Sequence, residues 1–584
     1  MRNKRNISII GVGLLGLGAY LLRRQILGRL MKLQPPKYGV RVERGLRIPM
    51  SDNTILLADL YKPKSSRLCP TILIRTPYGR GGTVGPTGLL HDFIAQRFAE
   101  RGYNVFVQDV RGTFSSDGEF DPFIHEADDG HATLAWIEKQ NWFNGLVGMW
   151  GPSYLGYVQW AIAGGGPLYL KAIVPMITGA NLTHSGLRDG ALTLDTVLRW
   201  IIQIDAMDRK KYLANLLGLQ RIRPKTIDKI INQHTNHLPL SEIDRQIVGK
   251  DVPFLHEWME HLDPEDPFWE RYDPTKTFSN VTASAHLIGG WYDIFLRETL
   301  EDYALLKESG HSPFLTIGPW HHFHGECMIE GIRQGLIWFD VLLKGDRRKL
   351  REKPVRLYVS GDGGWREFDS WPPKAKNVQF FLHQSDGNRR NPGYGLAPEL
   401  PENPLPPDTY IYNPEDPTPS IGGAEMSLNA GPVDNRKLEA RPDVMTFTSR
   451  QLENTIEVIG YVRLKLYVGS SLENTDFYAR LLDVNPDGRS INLCDGLLRI
   501  KPGTGELQLD GSRLIEIDMW ATANRFQSGH RIRLLIASGA HPRWSRNLGT
   551  GDPVQTGTRM VSAEQTIFHD SEHPSALILP VLAS

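Results

Sequence analysis

Cysteine is scarce in this sequence: Cys69, Cys327 and Cys494 are the only three in 584 residues. They are odd in number, far apart and without a CxxC spacing, so they indicate neither a disulfide framework nor a zinc site and are expected to be buried thiols. An excess of charge of either sign is also lacking. Lys plus Arg and Asp plus Glu number 66 each, so no global field points to nucleic acid or a polyanionic partner, and a small neutral or mixed substrate fits better. At 40% hydrophobic and 23% charged residues the composition is that of a globular protein, which excludes a disordered or fibrous chain. The length implies several domains. Long apolar runs are few: Ile7 to Leu22 is uncharged, between Arg2, Lys4, Arg5 on one side and Arg23-Arg24 on the other. Sixteen helical residues span about 24 Å, short of the roughly 30 Å hydrocarbon core, although flanking arginines can snorkel. No convincing small-x-small cleavage site follows. Residues 1–36 are therefore expected to be an uncleaved hydrophobic anchor rather than a removed signal, placing the protein at a membrane or the cell envelope; without such an anchor it would be cytoplasmic.

What the chain does have is alternation. Short strands are expected at Val40–Val42, Leu46–Ile48 and Thr54–Leu60, as an antiparallel lead-in. Thr71 to Arg75 then reads as a strand buried on both faces, emptying into Thr76-Pro77-Tyr78-Gly79. A helix over 90–101, a strand over 103–109, a helix over 128–140 with Leu134, Ile137 and Ala135 inward, and an apolar strand over 171–176 follow. Strand–helix alternation of this kind implies βαβ units and a doubly wound, mostly parallel sheet. The alternation lapses over 181–284, which is helix-prone, with Ile227, Ile230 and Ile231 on a helical spacing; an inserted helical cap is expected there. Strands return at 285–290 and 313–317 with a helix over 298–308 between them, so 37–180 and 285–350 form one catalytic unit. From 351 to 584, alternating runs such as Val355–Val359, Val462–Leu466 and Ile532–Ile536 predict an all-β sandwich of jelly-roll type, with the proline-rich stretch 398–419 as an irregular crossing.

The chain is organised around Gly151-Pro152-Ser153-Tyr154-Leu155-Gly156. An apolar run ends in a Gly-flanked serine and a helix-like stretch follows, which reads as the strand–turn–helix of a nucleophile elbow. Small residues at 151 and 156 allow strand and helix to approach closely. Taken alone, the pattern fits an ordinary turn as well. Serine needs a base and the base an orienting acid. In doubly wound hydrolases these follow in the order acid, then histidine, each after a later strand. Asp293 stands after the strand at 285–290, where it fits equally as a helix N-cap. His321, His322 and His324 stand after the strand at 313–317. These histidines also suit a metal, but no Asp, Glu or Cys cluster completes a set, so no metal is expected. Oxyanion donors are expected from the Tyr154 backbone N–H and from the loop holding Tyr78, whose phenol is either a donor or an ordinary loop aromatic. Trp150, Trp291 and Phe295 either line an acyl pocket or belong to the core.

Pro77-Tyr78, Asp109-Val110-Arg111-Gly112 through Gly118, Gly151 through Gly156, Gly290-Trp291-Tyr292-Asp293 and Gly318-Pro319-Trp320-His321-His322, in this order, closely resemble the cocaine esterase and X-Pro dipeptidyl-peptidase superfamily. That superfamily also includes α-amino acid ester hydrolases and glutaryl acylases. The resemblance runs from about residue 40 to the C-terminus and takes in Tyr412-Asn413-Pro414, Asp476 through Leu481 and Asn492 through Gly496. It implies an α/β-hydrolase core, a helical cap and a jelly roll of galactose-binding-like type. It also implies Ser153 as nucleophile, Asp293 as orienting acid, His322 as base, and Tyr78 with the Tyr154 amide as oxyanion donors. Asp109 and Arg111 are expected to pair with each other and hold a loop. The implied reaction is acyl transfer from an ester or amide of a small substrate, or a short peptide, to Ser153 and then to water, with no cofactor. Removal of X-Pro dipeptides is the second reading; Asp263, Glu265 and Asp266 would then be candidates to grip a free amino terminus. A catalytically silent protein whose jelly roll binds glycans is the third.

Overall fold

The computed structural model describes residues 24–81, 86–187, 190–206, 224–384, 395–402, 404 and 406–582. A ten-stranded sheet runs through its N-terminal two thirds. Its centre is β3 (Thr71–Thr76), β4 (Asn104–Asp109) and β5 (Val147–Pro152), followed outward by β6 (Leu170–Met176), β7 (Ser284–Tyr292) and β8 (Phe314–His321). These pair parallel in the order β4-β3-β5-β6-β7-β8. Every residue of β3 and β4 is buried, as helices on both faces require. Beyond β4 lie the antiparallel β2 (Ile55–Pro63) and β1 (Val40–Pro49); the two short strands expected at 40–48 are one strand bent by a bulge between Glu43 and Leu46.

The strand order reverses at β3, because β4 lies on one side of it and β5 on the other. Crossovers leave that point in opposite directions, which opens a crevice at the carboxyl ends of the two strands. Tyr78 follows β3 and Ser153 follows β5. The topology therefore brings together two residues 75 positions apart in the chain.

Helices cover the sheet. α1 spans 24–30, and its Arg24 donates to Glu100 at 2.8 Å. Then come α2 (Pro86–Ala99), α3 (Glu126–Glu138) and α4 (Tyr154–Ala163). In α3, Leu134 and Ile137 are inside as expected, with Thr133 beside them, while Ala135 is half-buried at the margin. Residues 7–22 lie outside the described residues; among those described, no helix is long and apolar enough to cross a membrane.

Between β6 and β7 the chain forms α5 (Leu182–Gly186), α6 (Leu194–Ala206), α7 (Pro224–His234), α8 (Ile243–Val248) and α9 (Pro253–Glu260), then two 3₁₀ stretches. This insertion has its own core, in which Leu198, Ile202, Ile227, Ile231 and Leu255 are buried and Ile230 packs partly exposed. After it, α10 (Leu296–Glu308) and α11 (Gly325–Lys344) return to the sheet.

Val355–Val359, read from the sequence as a sandwich strand, lies in the main sheet instead. β9 (Val355–Val359) pairs parallel with β8, and β10 (Gly364–Phe368) pairs with β9, so both extend the main sheet. Val355, Leu357 and Val359 are buried while Arg356 and Tyr358 are not. A strand near a sheet edge with one covered face shows the same period of two as a sandwich strand, and periodicity cannot separate them. From β11 (Ala375–Leu382) onward two antiparallel sheets form, one of eight strands and one of four. Their inner faces share a core that includes Leu464 and Leu466 from one sheet and Leu481 and Leu534 from the other.

Candidate active site

Ser153 is the only residue between β5 and α4. Its φ of 55° and ψ of −126° are rare for a residue with a side chain, and such a conformation persists only where surrounding bonds impose it. They do so here. The Ser153 N–H donates to Met176 O at 2.9 Å, and Thr178 Oγ1 donates to Ser153 O at 2.8 Å. The expected close approach is also present: a Cβ at Gly156 would lie 2.4 Å from Thr178 Cγ2, and one at Gly151 would lie 2.4 Å from Leu155 Cβ.

Asp293 follows β7 and is completely buried. It is not the N-cap of α10, which is Phe295. Oδ1 accepts from the Phe295 N–H at 2.9 Å, which shapes the start of α10, and Oδ2 lies 2.8 Å from His322 Nδ1. A carboxylate facing Nδ1 holds the proton there and leaves Nε2 as an acceptor. His322 Nε2 stands 3.1 Å from Ser153 Oγ. The three side chains thus form one hydrogen-bonded chain. His321 and His324 are neighbours at 5.3 Å between rings, but the described residues bring together a possible metal-ligand set only at Asp244, Asp251 and His256 in the insertion.

Tyr78 reaches the same point from β3. It lines the same cavity as Ser153, and burial pushes its phenol up to about 12, so it stays a protonated donor at neutral pH. Tyr154 opens α4, so its N–H has no acceptor within the helix. Its side chain is tied down: Tyr154 Oη donates to Glu126 Oε1 at 2.7 Å and accepts from the Phe123 N–H at 3.0 Å. The other Glu126 oxygen meets Arg75 Nη1 at 2.6 Å.

Asp109 and Arg111 do not pair. Asp109 accepts from the Arg80 backbone N–H and guanidinium, while Arg111 reaches outward to Asp129 at 2.6 Å and Asp52 at 2.7 Å. Asp109 ends a strand whose every residue is buried, and the chain then turns, so the two side chains leave in different directions. Each still pins a loop, through other partners.

A cavity of about 330 Å³ opens on Ser153 and His322. Trp150 and Phe295 border it, Trp150 being a core residue as well, and the Phe295 ring lies 5.6 Å from the His322 ring. Trp291 does not. It donates to Tyr358 O at 2.7 Å and packs against Trp371, on the side where β9 extends the sheet. The rest of the wall comes from places that carry no motif: Phe123 after β4, Trp200 and Trp258 in the insertion, and Met426, Trp520 and Arg543 in the C-terminal part. Aromatic residues at helical or strand spacing look the same in a core and in a pocket. Among the described residues no Asp or Glu lines the cavity. Asp263 and Glu265 are exposed, and Asp266 caps a 3₁₀ turn and binds His261 at 2.7 Å.

Known proteins agree with this layout. Residues 52–324 match the family model described as X-Pro dipeptidyl-peptidase (S15 family), and residues 349–578 match that of the X-Pro dipeptidyl-peptidase C-terminal non-catalytic domain. Cocaine esterase of Rhodococcus sp. (strain MB1 Bresler) is 32% identical over 575 residues, covering 93% of this chain and 98% of that protein. An α-amino acid ester hydrolase structure superposes with a TM-score of 0.78 at 20% identity over 93% of this chain and 97% of its own. A CocE/NonD family hydrolase of Staphylococcus aureus gives 0.68 at 16% identity over 94% and 97%. These two likenesses show the fold. None of these relatives supports a silent glycan-binding protein. With both halves matched and an esterase relative aligned almost end to end, the chain belongs to the cocaine esterase and X-Pro dipeptidyl-peptidase family of serine hydrolases.

Proposed function

We propose that this serine hydrolase is an esterase for small substrates with an apolar acyl or alcohol group, and that Ser153, His322 and Asp293 carry the reaction. The observation that carries this reading is the unbroken chain Asp293–His322–Ser153 opening on a cavity walled by aromatic and aliphatic side chains. Ser153 Oγ attacks the carbonyl carbon while its proton passes to His322 Nε2. The Asp293 carboxylate stabilises the imidazolium that forms. The oxyanion takes hydrogen bonds from Tyr78 Oη and the Tyr154 N–H. His322 then returns the proton to the leaving oxygen, and water releases the acyl group from Ser153 by the same steps. No cofactor enters.

The insertion acts as a cap that supplies one wall of the pocket, and the two-sheet unit, which we read as a jelly roll, supplies another. Removal of X-Pro dipeptides is disfavoured because a free amino terminus needs an anionic partner, and no described carboxylate lines the cavity. The name of the Rhodococcus relative, an esterase, favours the same choice. Two measurements test the reading. Ser153→Ala should abolish labelling by a fluorophosphonate probe, and labelling that survives would put the nucleophile elsewhere. The native enzyme should turn over an aryl ester far faster than a Gly-Pro anilide; the reverse order would restore the peptidase reading.

A further inference from the structure

Tyr78 and Trp200 come from different parts of the chain, one from the loop after β3 and the other from α6 of the insertion. They meet at a single bond, in which Trp200 Nε1 donates to Tyr78 Oη at 3.2 Å. A phenol oxygen has one proton and two lone pairs, and an indole N–H can only donate. The Tyr78 proton therefore cannot point at Trp200. It is left to face the cavity that Tyr78 and Ser153 line together. The bond has a second effect, because donation into a hydroxyl oxygen polarises its O–H and strengthens it as a donor in a low-dielectric site.

The Trp200 ring is held for this task. It is stacked between Phe123, at 5.6 Å and 21°, and Trp258, at 6.3 Å and 7°. Rotation of the indole would break both contacts. We infer that Trp200 is a positioning residue, whose N–H aims and polarises the Tyr78 hydroxyl toward the oxyanion, so that the insertion takes part in stabilising the tetrahedral intermediate as well as walling the pocket. This rests on the reading of Tyr78 as an oxyanion donor.

A double-mutant cycle on turnover of an aryl ester tests it. Tyr78→Phe should lower kcat about a hundredfold, the scale of one oxyanion donor. Trp200→Phe keeps an aromatic ring in the stack and removes the N–H; it should lower kcat roughly tenfold with KM little changed, and weaken inhibition by an arylboronic acid in step. In the Tyr78→Phe background the same change should cost almost nothing further. Trp200→His, which retains a ring N–H, should recover part of the loss and covers the case in which the Phe variant folds poorly. Near-normal turnover in Tyr78→Phe would remove the donor reading and this proposal with it. A normal loss in Tyr78→Phe, combined with a Trp200→Phe effect that is additive or confined to KM, would overturn this proposal alone.

Discussion

At the scale of the residue, the site rests on buried polar groups whose partners sit outside the reacting atoms. Glu126 shows this most directly. It is 3% exposed and holds Arg75, which is wholly buried, with one oxygen and the Tyr154 hydroxyl with the other. Removing its carboxylate would leave the guanidinium with the Glu126 backbone O at 2.9 Å, Gln108 at 2.9 Å and a more distant Asp129 at 4.0 Å. A buried charge that loses its partner costs about 3–5 kcal/mol. With Asp129 still near, Glu126→Ala should lose about 3 kcal/mol in urea denaturation and Glu126→Gln less. Both should also slow turnover, since Tyr154 heads the helix that faces the oxyanion. Unchanged stability in the alanine variant would mean that Arg75 is satisfied elsewhere.

At the scale of the element, α10 carries a buried carboxyl whose charged neighbours among the described residues are other carboxylates. Asp302 is 2% exposed, accepts from the Ala180 N–H at 3.0 Å, and is driven well above the usual carboxylate range first by burial and then by Glu301, Glu298 and Asp273. Its folded pKa is thus above its unfolded value near 4. Between the two, the folded state holds a proton that the unfolded state has released, so stability is fullest at or below the unfolded pKa and declines as pH rises from there toward the folded pKa. Asp302→Asn keeps an oxygen for Ala180 and removes the titration. The variant should gain stability relative to the native chain at pH 7–8 more than at pH 4–5. Parallel melting curves across that range check it; an equal shift at every pH would show that Asp302 is already ionised when folded.

At the scale of the whole molecule, the pocket is shared by three parts of the chain, and the C-terminal part contributes Met426, Trp520 and Arg543 to it. Its residues should therefore affect substrate affinity although none bears on the chemistry. Met426→Ala removes three side-chain heavy atoms from the wall, at about 0.8 kcal/mol per buried group at most. For an ester with a bulky apolar acyl group, KM should rise roughly tenfold while kcat stays near normal. A fall in kcat at constant KM would mean that this wall acts on the catalytic residues instead.

The sequence by itself determined what depends on local burial and order along the chain. A run rich in β-branched residues marked β3, a serine with glycines two before and three after it marked the elbow, and an acid then a histidine after later strands marked Asp293 and His322. Only the tertiary structure decided which distant surfaces those elements meet. It turned Trp291 into the core and Trp200 onto Tyr78, gave Asp109 to Arg80 and Arg111 to Asp129, and carried β9 and β10 into the main sheet. The physical reason is that periodicity records whether a face is covered, whereas the partner that covers it is set by long-range packing.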